Sequence, residues 1–245
     1  MVHAFRAVCA QFCQAVLHAA SVYLHVAFAW ASSHSFDFAV VNPDYDPAEE
    51  EEDAADLYQY RMMMSSMGQS PDPAMPQEYL FRATDPTPET PFANVDRMHQ
   101  GSRTHPRTVE RKADKYKLYQ LFDDPVYQGK QITYTYDFGD NWDHFLTMQG
   151  RAEATDKFVC VDGGGHEVAE DVGGSGGWAA LKAAYRTDTP TQEQLDKRDW
   201  YENDCSNGNM LGLEGDYVNE WNDLWVKDNL EPEMMDYKFG RRMRR

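Results

Sequence analysis

Tyr134-Thr-Tyr-Asp-Phe-Gly-Asp-Asn-Trp-Asp-His144 brings four ionisable groups, Asp137, Asp140, Asp143 and His144, into one tight stretch of chain. Crowded carboxylates repel one another, so such a group takes up protons or attracts a cation. The competing reading is a turn whose aspartates cap backbone N–H groups and face water. A second cluster, Glu170-Asp171, precedes glycines 173, 174, 176 and 177, which bracket Ser175. A glycine turn that opens a helix exposes backbone N–H groups able to hold an anion or an acyl oxygen. A tight loop needing positive φ has the same composition. A third, Arg198-Asp-Trp-Tyr-Glu202, sets Asp199 and Glu202 one turn apart on one helical face. Ion pairs with Lys197 or Arg198 would make them ordinary surface charges.

The elements that carry these groups follow from hydrophobic spacing. Ile132, Tyr134, Tyr136 and Phe138 alternate with polar residues, Gly139-Asp140-Asn141 supplies turn chemistry, and Trp142 to Met148 is the return strand of a hairpin. Apolar residues from Phe5 to Trp30 recur at helical spacing, which predicts an amphipathic helix over Ala7 to Trp30. Gln11, Gln14, His18 and His25 interrupt it, so it is neither a membrane span nor a signal peptide. His18 and His25 are read as packed or exposed side chains without a carboxylate partner. Ser35 to Val41 alternates as a strand and stops at Asn42-Pro43. A short strand is expected near Tyr79 to Arg82, a helix from Lys115 to Phe122, and a loop through Asp162 to Gly165. Helices are predicted over Trp178 to Arg186, Gln192 to Asn203 and Tyr217 to Asn229. The order predicts an α+β fold, a small, curved, mainly antiparallel sheet packed with helices.

Residues 1–41 supply the first helix and strand of a single domain. Residues 42–95 form a long insert, acidic from Asp44 to Asp56 and then rich in proline and methionine. The main body spans 96–230 and a basic tail 231–245. Residues 97–117 reverse the charge with Arg103, Arg107, Arg111 and Lys112 among others. They either contact phosphates or neutralise the insert.

Net charge is −18, from 41 acidic and 23 basic residues, which argues against broad binding to DNA or anionic membranes. Cys9, Cys13, Cys160 and Cys205 lack paired metal-ligand spacing and suit free thiols in a reducing cytosol. Cys160, His166 and Cys205 are too scattered for a metal hydrolase. Asp137-Phe-Gly139 has no kinase lysine motif or His-Arg-Asp loop beside it. The net charge argues against a DNA resolvase, and neither Ser175 nor Ser206 has an adjacent histidine to activate it.

Tyr136-Asp-Phe-Gly-Asp-Asn-Trp-Asp-His144, Glu170-Asp-Val-Gly-Gly-Ser-Gly-Gly-Trp178 and the block from Trp200 through Asn207-Gly208 resemble, in order, three blocks of the plasmid pRiA4b ORF-3-like family. Ala27-Phe-Ala-Trp30 with Ser33-His-Ser-Phe-Asp-Phe38 resembles its helix end and following strand. The resemblance implies the same α+β fold. Relatives usually begin with two strands before the first helix; this chain is expected to begin inside that helix and to lack them.

A fungal branch of this family is associated with arginine-containing cyclodipeptides made from aminoacyl-tRNAs. The resemblance therefore implies a cytosolic synthase that uses arginyl-tRNA and a second aminoacyl-tRNA, with neither cofactor nor metal. That branch carries an Asp-Asp-x-x-Glu motif, matched here by Arg198-Asp-Trp-Tyr-Glu202 with arginine at the first position. The chemistry needs groups that hold a guanidinium, take a proton from an ammonium and stabilise a tetrahedral oxyanion. Asp137, Asp140, Asp199 and Glu202 are the candidate catalytic residues. Trp142, His144, Glu170, Asp171, Gly173, Gly174 and Trp200 are the candidate substrate contacts. Arg103, Arg107, Arg111 and Lys112 are the candidate tRNA contacts. The three blocks are expected to converge on one concave site. The rival reading is a noncatalytic cytosolic interaction module whose acidic insert is a binding tail.

Overall fold

The structure, a computed structural model, describes residues 4–8, 16–45, 78–85, 108, 110–151 and 159–213, together with 215, 226, 228 and 230. Five strands form a mixed, open sheet in the order β4 (Glu110–Lys112), β3 (Tyr79–Thr84), β2 (Phe36–Val41), β5 (Ile132–Tyr136), β6 (Trp142–Leu146). Only β3 and β4 run parallel. A second, two-stranded sheet pairs β1 (Ala4–Val8) antiparallel with β7 (Val159–Gly164). With α1 (Leu17–Ala27), α2 (Leu118–Asp123), α3 (Gly174–Tyr185) and α4 (Gln192–Asn203), the class is α+β.

The register decides which residues meet. Phe38 lies between Ala83 and Tyr134, so Phe36, Phe38, Val40, Phe81, Ala83, Tyr134 and Tyr136 share one face. Helix α1 covers it with Leu17, Ala20 and Leu24, and Phe28 and Trp30 follow from its end. Ala29 closes that helix at φ 56°, with Trp30 N–H bonded to His25 O at 2.9 Å. His25 is buried, bonded to the Tyr134 hydroxyl and 2.5 Å from Ser32 Oγ, while His18 does face a carboxylate, Asp85, at 3.9 Å. The opposite sheet face carries Asp37, Arg82, Thr84 and Thr135, all buried, with Arg82 Nη2 paired to Asp37 at 2.8 Å. A second core joins Val168, Ala169, Trp178, Leu181, Tyr201 and Leu213, and Trp142 packs against both cores.

Several boundaries differ from the sequence expectation. The first helix starts at Leu17, because Ala4–Val8 joins a ladder with β7 instead; the chain therefore does have a strand before α1. An apolar spacing compatible with a helix yields to a strand where a partner strand is available. The same pairing converts the glycine-rich segment, expected as a loop, into β7. Lys115 to Phe122 divides into a 3-10 turn, Ala113–Lys115, and α2. The strand near Tyr79, assigned to the insert, extends to Thr84 and lies inside the sheet. Helix α4 has the expected bounds, because Thr191 and Gln194 form a reciprocal capping box.

The acidic block after Tyr45, Cys9, Cys13, the expected helix from Tyr217 apart from Val226 and Asp228, and the basic tail lie outside the described residues. Among the described residues no helix is long and apolar enough to cross a membrane.

Candidate functional site

The β5–β6 hairpin turns over residues 137–141, with Asp137 at φ 54° and Asn141 at φ 55°. Aspartate and asparagine tolerate this left-handed region because a short polar side chain bonds locally. Asp137 Oδ1 accepts the N–H groups of Gly139 at 2.9 Å and Asp140 at 3.3 Å. The capping reading of this turn is thus correct for Asp137, yet the side chain also faces a histidine. Pairing of Phe36 with Tyr136, and of Asp137 N–H with Ser35 O, carries His34 to the tip. His34 Nδ1 lies 3.6 Å from Asp137 Oδ1, and its Nε2 lies 2.9 Å from Asp171 Oδ1. The side chains of His34 and Asp137 are each 6% exposed, and that of Asp171 is 51% exposed. Burial pushes the Asp137 carboxyl above the usual carboxylate range, and the neighbouring His34 opposes that shift.

Asp140 fastens the second block to this tip, its Oδ2 accepting the Gly173 N–H at 3.0 Å. Gly173, at φ 88°, caps α3 without a side chain, and a Cβ on Gly174 would stand 2.6 Å from Asp140 O. Glycine is needed at Gly174 on both counts, positive φ and close approach.

Glu170, expected to contact substrate, is spent inside the fold. It is 1% exposed, and its carboxylate accepts bonds from Ala31 N–H at 2.9 Å, Ser33 at 3.1 Å, Tyr136 at 2.5 Å and Ser206 at 2.9 Å. Four donors meet both oxygens, which is how an anion is kept in an interior. Burial, and then Glu170, hold the Tyr136 hydroxyl well above its ordinary pKa. Asn207 locks the same loop by accepting Glu170 N–H and donating to Val168 O, both at 2.8 Å.

Strand alternation separates the other tip residues. Asp143 is exposed and accepts the Thr135 hydroxyl at 2.5 Å, whereas His144 turns into the core against Phe28 and Trp30. Its Nδ1 lies 3.3 Å from Tyr134 O, and burial lowers its pKa. His144 is therefore a packed histidine, and His34 takes its expected place beside the carboxylates. His34 lies in the Ser33–Phe38 segment that resembles the family, but its pairing with Asp171, 137 positions away, has no local signal.

Asp199 and Glu202 stand on α4. Glu202 Oε1 accepts the Tyr185 hydroxyl at 2.5 Å, and Asp199 accepts the Asn203 amide at 3.0 Å. Lys197 pairs with Glu193 at 3.5 Å, while Arg198 bonds Ala184 O and Thr187 O at the end of α3 and lies over the Tyr185 ring. Neither basic neighbour pairs with Asp199 or Glu202, so the alternative of ion pairs with Lys197 or Arg198 does not hold. Among the described residues no hydrogen bond joins these two carboxylates to Asp137, Asp140 or Asp171. Hydrogen bonds do join the hairpin tip to the 170–174 segment, through Asp140–Gly173 and His34–Asp171, and join Glu170 to Ser206 and Asn207 of the third block. Trp200 and Trp142 are half-buried against the second core. Arg111 stacks over Phe81 and Tyr116, with its guanidinium 4.9 and 5.8 Å from their ring centres, and Lys112 is exposed. Arg103 and Arg107 lie outside the described residues.

The described residues thus offer a histidine between two aspartates, one of them half-exposed, and a carboxylate pair on α4 with no lysine or arginine partner among the described residues. The sequence model of the family described as plasmid pRiA4b ORF-3-like protein matches residues 13–211. No curated protein matches the chain at a significant level. Among solved structures, a protein of unknown function from Methanosarcina mazei Go1 is similar at 18% identity, with 77% of this chain and 76% of that chain covered and a TM-score of 0.43.

Proposed function

The chain belongs to the plasmid pRiA4b ORF-3-like protein family, and on that premise we propose that it is a cytosolic, tRNA-dependent cyclodipeptide synthase. It joins arginine from arginyl-tRNA to a second aminoacyl group. The α-amine of one residue attacks the ester carbonyl of the other, an amide forms, and one tRNA leaves with its ribose hydroxyl restored. The new terminal amine then attacks the remaining ester, closes the diketopiperazine ring and releases the second tRNA. Each ester is already activated, so the amide bonds form without ATP.

The observation that carries this reading is the state of Asp199 and Glu202. They stand on one face of α4 without a lysine or arginine partner among the described residues, although Lys197 and Arg198 adjoin them. A guanidinium binds such carboxylates as a fork, and one of them can take the ammonium proton before attack. Gly173 N–H is committed to Asp140, so the open first turn of α3, from Gly174, is the better source of donors for the tetrahedral oxyanion. Half-buried Trp142 and Trp200 offer apolar surface to the second side chain.

Incubating the purified chain with arginyl-tRNA and a mixture of aminoacyl-tRNAs, followed by mass spectrometry for cyclic dipeptides, tests the proposal. An arginine-containing product supports it; none from correctly charged tRNA rejects it. The noncatalytic interaction module is the second reading. It is favoured by Met210 and Leu211, adjacent and 83% and 72% exposed, which is unusual for large apolar side chains without a partner.

A further inference from the structure

His34, Asp137 and Asp171 present one donor atom each, all within 4.8 Å of one another. Bond lengths of about 2.0–2.2 Å to imidazole nitrogen and carboxylate oxygen put neighbouring ligands of a metal roughly 3 Å apart. The 2.9 Å from His34 Nε2 to Asp171 Oδ1 is such an edge. The third donor, on Asp137, lies within 4.8 Å of both.

A second observation is independent of that spacing. The two turn N–H groups that Asp137 caps and the His34 ring all meet its Oδ1. Among the described residues, the hydrogen-bond and ion-pair contacts of this carboxylate, in a side chain 6% exposed, all fall on Oδ1 and none on Oδ2. The support is also rigid. The Asp140–Gly173 bond holds the two loops against each other, and the filled Glu170 carboxylate anchors the residue just before Asp171. Metal sites depend on such fixed surroundings.

We propose that His34, Asp137 and Asp171 form a binding site for one divalent transition-metal ion. One imidazole and two carboxylates suit Mn2+ or Zn2+. An all-oxygen shell would favour Ca2+ or Mg2+, and thiolates would favour softer ions. Three protein donors, with Asp171 51% exposed, leave coordination positions for water or a substrate oxygen, the pattern of a reactive rather than a closed structural site. This site uses neither Asp199 nor Glu202 and does not depend on the synthase reading.

The test is calorimetric titration of the chelator-stripped full chain with ZnCl2, paired with electron paramagnetic resonance of added Mn2+. The wild type and the variants Asp137→Asn and Asp171→Asn are compared. Asparagine keeps the shape and tolerates the left-handed backbone at both positions, φ 54° and 61°. Asp171 is exposed enough that its variant folds even if the Asp137 variant does not. The expected result is one ion per chain, with affinity reduced at least tenfold in each folded variant. Absence of saturable binding by the wild type overturns the proposal. So does undiminished binding by Asp171→Asn, which would place the ion elsewhere, such as the acidic block at Glu49–Asp53.

Discussion

Carboxylates of this chain divide by what their neighbours leave them to do. Glu170 is fully engaged by four donors, so Tyr136→Phe, which removes one of them from a buried anion, should destabilise the protein by about 1–3 kcal/mol in chemical denaturation. Asp199 and Glu202 predict the opposite pattern. Asp199→Ala and Glu202→Gln should abolish dipeptide product, measured by mass spectrometry, and leave stability within about 0.5 kcal/mol. Glutamine still accepts the Tyr185 hydroxyl, so unfolding of that variant would make the pair structural. His144 gives the residue scale a pH dependence. Burial lowers its pKa in the fold from an ordinary 6.5, so below that value the unfolded chain binds the proton first. Its contribution is fully present above about pH 6.5 and is lost as pH falls toward the folded pKa, at about 1.4 kcal/mol for each tenfold loss of proton affinity. His144→Gln should flatten the decline in stability between roughly pH 7 and 5, read by denaturation at several pH values.

Elements meet at the site through two contacts that tolerate no added atom. The hairpin turn touches the start of α3 where Gly174 passes Asp140 O, and a Cβ on Gly177 would stand 1.8 Å from Val172 O. Gly177→Ala should therefore push the 171–173 loop off its path and cost about 1–3 kcal/mol by the usual cost of overpacking. It should also shift the near-ultraviolet circular dichroism of neighbouring Trp178. An unchanged melting temperature and spectrum would show that the loop has slack. Helix α4 is fixed differently, by its capping box and by Arg198 gripping the end of α3. That grip is why arginine beside Asp199 does not neutralise it.

A chain with net charge −18 must still admit an anionic substrate if it uses tRNA. Lys112 is exposed beside Arg111, whose guanidinium is already occupied with Phe81 and Tyr116. Replacing Arg103, Arg107 and Lys112 with glutamine, and sparing Arg111, should weaken aminoacyl-tRNA binding. It should lower the slope of log affinity against log salt by roughly 0.7–0.9 per lost phosphate contact. Binding assays over a salt series read this directly, and an unaltered slope would assign the patch to balancing the acidic segment.

The sequence by itself determined those features set by neighbours in the chain. Alternation marked β5 and β6, the bounds of α4 were read as they are, and a turn near Gly139–Asn141 and a glycine loop at 173–174 were legible, although the left-handed residue of the hairpin turn proved to be Asp137. The ordered blocks also marked the family and the α+β class. Tertiary structure decided what depends on partners distant in sequence. The β1–β7 ladder overrode an apolar spacing that also fits a helix, and β3 entered the sheet from a segment that had the composition of an insert. The same holds for the site. Strand register sent Asp143 and His144 to opposite faces and delivered His34 between Asp137 and Asp171. Local sequence fixes dihedral angles and side-chain period, but the burial and charge that give a carboxylate its role come from whichever groups the fold brings beside it.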